Sequence, residues 1–267
     1  MEKSTDIEII NVKKVYQSDE EGGNDVCAIQ DITFSVEHDE FVSIVGPSGC
    51  GKSTLLNMIS GLLPVTSGTI KVGNKEVKRP HRDNGIVFQY PVLLEWRNIL
   101  DNILLPIEVL KLNKAEYIGR AMELLELVDL LDFKDAYPGE LSGGMQQRAC
   151  ICRALIHDPA LLLMDEPFGS LDAMTREEMN LGLLDLWTEK KKTILFVTHS
   201  IPEAVFLSDR VVVFSRRPSL VDSIFTIDLP RPRTLEMMYT EKFRDMQAEI
   251  RNRIGFRKAK VPGKISF

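Results

Sequence analysis

Four short apolar runs in the chain each end in polar residues of a particular kind. Phe41-Val-Ser-Ile-Val45 leads into Gly46, and Gly85-Ile-Val-Phe88 leads into Gln89. Leu161-Leu-Leu-Met164 leads into Asp165 and Glu166, and Thr193-Ile-Leu-Phe-Val-Thr198 leads into His199. Continuous apolar runs of this length predict strands buried on both faces, as in a parallel sheet. Ligands of such sheets bind beyond the carboxyl ends of the strands, so four polar deliveries predict one shared site.

Between Gln89 and about Pro159 the pattern turns helical. Ala115 to Leu131 is rich in Leu, Glu and Met, and Ser142 reads as the N-cap of another helix. This predicts a helical insertion, over about residues 90–158, into an α/β core. Near the start, Ile7–Ile10 and Ile32–Val36 are short alternating segments separated by the acidic, Gly-rich stretch Ser18–Asp25. They predict an antiparallel sheet laid beside the core. At the far end, Tyr239, Phe243, Met246, Ile250 and Ile254 fall on one helical stripe expected to dock on the protein's own core.

Composition narrows the class. With 267 residues, 44% hydrophobic and 27% charged, the chain is no disordered or low-complexity protein. Its uncharged stretch Ser53–Ile70 holds Asn, Ser, Thr, Gly and Pro, so it predicts no transmembrane helix. The opening MEKSTDIEII carries acids among its apolar residues and predicts no secretory signal. Cys27, Cys50, Cys150 and Cys152 show neither metal-ligand spacing nor a disulfide-dense pattern, which suits a reducing cytosol. The net charge of −6 argues against bulk nucleic-acid binding. From Arg231 to Phe267, however, ten Lys/Arg stand against four Asp/Glu, a net +6 that leaves −12 for the rest. That basic end reads as a solvated helix face, with an anionic membrane surface as the alternative contact.

Gly46-Pro-Ser-Gly-Cys-Gly-Lys-Ser53 matches the phosphate-binding loop pattern G-x-x-x-x-G-K-[ST]. The glycines let backbone N–H groups crowd round a polyphosphate, and the helix starting near Gly51 adds unpaired donors and a positive dipole end. A nucleotide polyphosphate is therefore expected against Gly46, Pro47, Ser48, Gly49, Cys50, Gly51, Lys52, Ser53 and Thr54. Lys52 would reach the β- and γ-phosphates, and the Ser53 hydroxyl would ligate Mg²⁺. Taken alone, the pair Asp165-Glu166 is a solvated strand end and His199 a structural histidine. Beside a phosphate-binding loop, Asp165 becomes a candidate for holding Mg²⁺ and Glu166 for polarising the attacking water. Gln89 would reach Mg²⁺ or that water, and His199 would donate to the γ-phosphate.

Leu141-Ser-Gly-Gly-Met-Gln-Gln-Arg148 resembles the signature motif of ATP-binding cassette (ABC) proteins. Physically it is a second anion site, with the Ser142 hydroxyl and the Gly143 and Gly144 amides opening a helix. The resemblance implies a head-to-tail dimer around two ATP, each held between the phosphate-binding loop of one chain and Ser142, Gly143, Gly144 and Gln146 of the other. It also implies that Tyr16 stacks on adenine, that Gln89 is the family's Q-loop glutamine, and that Ser170-Leu-Asp172 is its D-loop. Asp165 and Glu166 match the strand-end carboxylates, with Asp165 reaching the metal through water, and His199 matches the switch histidine. Ser53, Gln89 and Asp165 then form the Mg²⁺ set, and Lys52, Gln89, Glu166 and His199 the catalytic set. The likeness runs from Ile7 to Arg217. The fold it implies is α/β: a RecA-like P-loop NTPase core with a mostly parallel sheet, an N-terminal antiparallel β-subdomain and an inserted α-helical subdomain. The cassette would span 1–230, followed by a basic C-terminal helix and tail over 231–267.

No membrane helices are fused to the cassette, so membrane partners would be separate chains. Asp83 to Asn102, Ser215-Arg-Arg-Pro218 and Leu229-Pro-Arg-Pro-Arg233 resemble the ATPases of importers for nitrate, sulfonate and taurine. Trp96-Arg97 and Leu104–Glu108 look closest to the pyrimidine-precursor members of that group. Glu95 departs from the group, where relatives often have Pro. The resemblance implies a peripheral subunit on the cytoplasmic face of the cell membrane. Its partners would be a second copy or a paralogue, permease subunits and, indirectly, an extracytoplasmic solute-binding protein, with no nucleic acid. The competing class is a soluble ABC ATPase acting on nucleic acid or ribosomes, but such chains usually carry two cassettes or a long coiled coil.

Overall fold

A computed structural model describes residues 5–17, 24–82 and 84–255. In chain order it contains β1 (Thr5–Tyr16), β2 (Val26–Glu37), β3 (Phe41–Val45), α1 (Lys52–Ile59), β4 (Ser67–Val72), β5 (Lys75–Glu76) and β6 (Asn84–Val87). Four helices follow, α2 (Ile99–Ile103), α3 (Leu105–Val109), α4 (Lys114–Leu127) and α5 (Gly143–Leu155). The chain then returns to β7 (Leu161–Asp165), α6 (Ala173–Lys190), β8 (Thr193–Val197), α7 (Ile201–Leu207), β9 (Arg210–Phe214), β10 (Ser219–Thr226) and α8 (Glu241–Arg253).

All ten strands join one sheet in the order β5-β4-β1-β2-β10-β9-β3-β8-β7-β6. From β9 to β6 every pairing is parallel. The four apolar runs are four neighbours in this half, and their carboxyl ends lie along one edge. Their continuous apolar pattern has a simple cause. Along β3, Phe41 and Val45 join the apolar cluster on one face, and Val42 and Ile44 join the cluster on the other. A strand buried on both sides has no solvent-facing position to alternate with.

The first cluster includes Ile99, Ile103, Leu125 and Ile151 from the helical segment, and the second includes Ile7, Val12 and Leu55. The antiparallel strands, expected as a sheet laid beside the core, are joined to it edge-on. Ser219 and Leu220 of β10 pair in parallel with Ile29 and Asp31 of β2. The acidic stretch at 18–23 and the tail from 256 onward lie outside the described residues.

At the C-terminal end, Phe243 and Ile250 are fully buried, and Met246 and Ile254 pack against the core. Tyr239 corrects the expected stripe: it is 79% exposed and lies in a short 3-10 turn. The Thr240 hydroxyl accepts the Phe243 N–H and starts α8 there, so the helical period does not extend back to Tyr239. Just before this helix, the buried Arg233 donates Nη1 to the carbonyls of Val205, Phe206 and Ser208 and closes the end of α7. Arg231 and Lys191 both stack on Trp187, at 4.0 and 3.6 Å from its ring. The C-terminal segment is thus fastened to α7, the helix that follows His199.

Candidate active site

β3 delivers the phosphate-binding loop and α1 closes it. Gly51 caps α1 at φ 101°, left-handed backbone that suits glycine. Gly46 is required by space: a Cβ there would lie 2.9 Å from the Phe214 carbonyl oxygen. Lys52 is 6% exposed and folds its Nζ over the loop, donating to the carbonyls of Gly46 at 3.1 Å and Pro47 at 3.3 Å. A cation held over a ring of backbone is a preformed seat for a phosphate.

The next contact joins two distant strand ends. The Ser53 hydroxyl donates to Asp165 Oδ1 at 3.0 Å. Burial pushes the Asp165 carboxyl above its usual range; the Ser53 hydrogen bond and Lys52 oppose this, and the Glu166 charge adds to it. Such a carboxylate gains from a cation.

Glu166 holds left-handed backbone at φ 45°, which costs a non-glycine residue about 1 kcal/mol or more. Its N–H donates to the Val197 carbonyl at 2.8 Å and its carbonyl accepts from Gly169 at 3.1 Å, so both sides of the turn are fastened. Glu166 Oε2 meets Gln89 Nε2 at 3.4 Å and His199 Nδ1 at 3.1 Å. Residues from two neighbouring strand ends therefore converge on the carboxylate delivered by a third.

These groups share a cleft of about 630 Å³. Of the expected residues, Tyr16, Ser48, Gly49, Gly51, Lys52, Ser53, Thr54, Gln89, Glu166 and His199 line it. Tyr16 sits at the end of β1, where its hydroxyl lies 3.4 Å from Thr54 Oγ1 and Lys14 Nζ sits 5.2 Å from its ring. Gly46, Pro47 and Cys50 do not line the cleft. Cys50 is buried, and its N–H turns back to the Pro47 carbonyl at 3.3 Å. Asp165 reaches the cleft through Ser53. Ala28 and Arg217 line it without having been expected from the sequence.

Ser142, Gly143, Gly144 and Gln146 lie outside this cleft. Ser142 is exposed and caps α5, its hydroxyl accepting the Met145 N–H at 3.3 Å. Gln146 is committed locally, with Nε2 donating to the carbonyls of Pro138 and Leu141. Its neighbour Gln147 points inward and donates to the Phe88 carbonyl at 3.0 Å, which the sequence did not reveal. A Cβ on Gly144 would lie 3.1 Å from Leu171 Cδ2, so the start of α5 packs on the turn before Asp172. Asp172 caps α6, accepting from the Thr175 N–H and hydroxyl, which hold its carboxyl below the usual range.

Beyond Gln89 the chain exposes Tyr90 and Trp96 at 75% and 74%, with Val92 beside them in sequence also exposed. At this exposure Trp96 adds little to the core. The loop carrying it is nonetheless fixed. Fully buried Asn102 accepts the Leu94 N–H at 2.7 Å and donates to the carbonyls of Leu94, Arg97 and Asn98, each at 3.0 Å.

Comparison with known proteins agrees with this geometry. The sequence profile of the ABC transporter family matches residues 29–169. An uncharacterised ABC transporter ATP-binding protein of Methanocaldococcus jannaschii is 47% identical over 227 residues, 85% of this chain and 84% of that one. The taurine import ATP-binding protein of Rhizobium johnstonii is 46% identical over 209 residues, 78% of this chain and 80% of that one. A solved ATP-binding cassette, a dimer in a post-hydrolysis state with ADP and phosphate, is 33% identical with a TM-score of 0.75. It covers 84% of this chain and 100% of its own. The chain belongs to the ABC transporter family and is an ATPase of the ATP-binding-cassette type.

Proposed function

We propose that this chain is the ATP-hydrolysing subunit of an importer, peripheral on the cytoplasmic face of the cell membrane, and that it couples hydrolysis to separate permease subunits. Residues 1–230 form the cassette, with its helical part over about 90–158, and 231–267 form a basic C-terminal helix and tail, of which Arg233 closes the end of α7. Two copies, or this chain and a paralogue, close head to tail around two ATP.

In each site the phosphate-binding loop amides and Lys52 hold the β- and γ-phosphates. Tyr16 stacks on adenine with the ring face that Lys14 leaves free. The Ser53 hydroxyl and the Asp165 carboxylate are hard oxygen donors side by side, a set that fits Mg²⁺, with Gln89 as a further ligand and Asp165 acting through water. When bound, Mg²⁺ supplies charge neutralisation at the phosphates. Glu166 orients or deprotonates the attacking water, and His199 donates to the γ-phosphate. Ser142, Gly143, Gly144 and Gln146 of the partner copy offer a helix start to the same γ-phosphate, and Asp172 sits at the contact between copies.

The observation that carries the coupling is the position of Gln89. Its amide touches Glu166, and the segment immediately after it carries the exposed Tyr90, Val92 and Trp96. One segment thus senses the hydrolytic carboxylate at one end and offers an apolar surface at the other, as a coupling element must. The surface around Glu95, Trp96 and Arg97 receives a short cytoplasmic helix of the permease. The solutes are of the nitrate, sulfonate and taurine type or pyrimidine precursors, delivered by an extracytoplasmic binding protein that meets the permease. This rests on the resemblance of residues 83–102 to that group and on the likeness to a taurine import protein. Affinity capture of the tagged chain from solubilised membranes tests the reading. Recovery of an integral-membrane permease is expected, lost in Trp96→Ala; recovery of ribosomes or nucleic acid instead would overturn it.

A further inference from the structure

β9 runs parallel beside β3, with Val45 opposite Val213, so the chain leaving β9 passes the phosphate-binding loop at once. Arg216 and Arg217 occupy that passage. Both line a hollow of about 480 Å³ against Pro47, Ser48 and Gly49, and Arg217 alone also lines the ATP cleft. Both are exposed, and among the described residues neither guanidinium is in an ion pair. Arg97 and Arg231, by contrast, are committed to Glu108 and Asp209.

Charge makes this pair unusual. The cleft sets Lys52 against Glu166, with the Asp165 carboxylate behind Ser53, in a chain of net charge −6. A triphosphate approaching such a site meets repulsion unless cations stand at its mouth. Arginine suits that place, because its planar fork pairs with two phosphate oxygens at once and stays charged at any working pH.

We propose that Arg217 is a further nucleotide-binding residue, whose guanidinium pairs with the phosphates of bound ATP at the rim of the cleft. The inference rests on the reading of that cleft as the ATP site. It assigns a use to the Ser215-Arg-Arg-Pro218 stretch, which the resemblance marks but does not explain. Arg216, on the hollow outside the cleft, makes no such contact and serves as the control of equal charge.

Titration calorimetry with ATP and with adenosine, on the unmutated chain, Arg217→Ala, Arg217→Lys and Arg216→Ala, tests it alongside steady-state ATP turnover. Arg217→Ala should weaken ATP about tenfold and raise KM by a similar factor, with kcat falling much less. Arg217→Lys should recover part of the loss, adenosine affinity should not change, and Arg216→Ala should stay within about twofold of the unmutated chain. The loss should also shrink in high salt, since the contact is exposed. Unchanged ATP affinity in Arg217→Ala overturns the proposal. An equal loss in Arg216→Ala also overturns it, because the effect would then be a diffuse field and not a contact. An unmutated chain that binds ATP, with a Lys52→Ala variant that does not, shows that the cleft reading stands whatever Arg217 does.

Discussion

The side chain of Gln147 donates to the backbone carbonyl of Phe88 at 3.0 Å, tying α5 to the end of β6 one residue before Gln89. Gln147 is 1% exposed, and its side chain hydrogen-bonds the helix opened by Ser142 to the end of the strand that delivers Gln89, beside the close backbone approach of Ala154 to Gly85. A displacement of that helix is therefore felt beside Glu166.

Replacing Gln147 by Leu keeps the volume and removes the donor, leaving the Phe88 carbonyl without it. The expected cost is about 1–2 kcal/mol of stability, read from the urea midpoint. ATP affinity should hold while turnover falls several-fold, because the loop of residues 46–53 is untouched. Unchanged turnover would confine Gln147 to a packing role.

Glu166→Gln keeps shape and removes the charge that the water needs. ATP affinity should persist while hydrolysis slows by about 10²-fold or more. Trapped ATP should then hold two chains together, giving a larger species on gel filtration only with nucleotide. Near-normal turnover would take Glu166 out of the base role.

Asn102 and Trp96 separate folding from docking. Asn102→Leu strips four hydrogen bonds from the 94–98 loop and takes their side-chain partner from the Leu94 N–H and the Arg97 carbonyl, so a loss of about 2 kcal/mol or more is expected in thermal or urea melts. Trp96→Ala should stay within about 0.5 kcal/mol of the unmutated stability, yet lose the permease. Equal destabilisation by the two substitutions would contradict this division.

Acid should loosen one clamp. Asp158 accepts from Lys192 at 2.8 Å and Arg120 at 3.0 Å, joining α4 to the start of β8. Partial burial works against its charge, but these two donors win and hold the carboxyl at about 2, against an ordinary 3.8. A depressed folded-state value means that this stabilisation is complete above about pH 4 and is lost as pH falls through about 2. The side chain is 44% exposed, so solvent screening makes the effect smaller than the full shift implies. Between pH 4 and 2 the melting temperature of Asp158→Asn should fall less steeply than that of the unmutated chain. Identical slopes would remove Asp158 from the clamp.

How far these features were legible depends on the signal each one leaves. The four strand ends could be read because strands buried on both faces leave continuous apolar runs, and loop and signature carry fixed spacings. Gln147 could not be told from Gln146 by composition. About 100° of helix rotation turns one to its own loop and the other into the core. Asn102 hides inside the apolar run of α2, where only the structure reveals the loop it holds. Arg217 sits in a short connection without periodicity, and its meaning arises from β9 lying beside β3. Tyr239 misled because a helical spacing continues back past the Thr240 cap that starts the helix.

The two-chain site is the centre of the account, and Ser142 tests it most directly. Ser142 is exposed at the start of α5 and does not line the cleft that holds Lys52 of its own chain. Ser142→Arg loses the cap hydrogen bond, worth about 1 kcal/mol, and adds bulk where the partner's nucleotide must close. Ser142→Ala loses the same cap without the bulk and controls for stability. Mixing Ser142→Arg with Lys52→Ala leaves one site with both elements intact, so some turnover should return if the sites fire independently. The decisive measurement is the steady-state ATPase rate of Ser142→Arg alone, with ATP binding to the monomer checked by calorimetry. Binding kept with hydrolysis abolished is the predicted result, and hydrolysis at the unmutated rate would contradict the shared site.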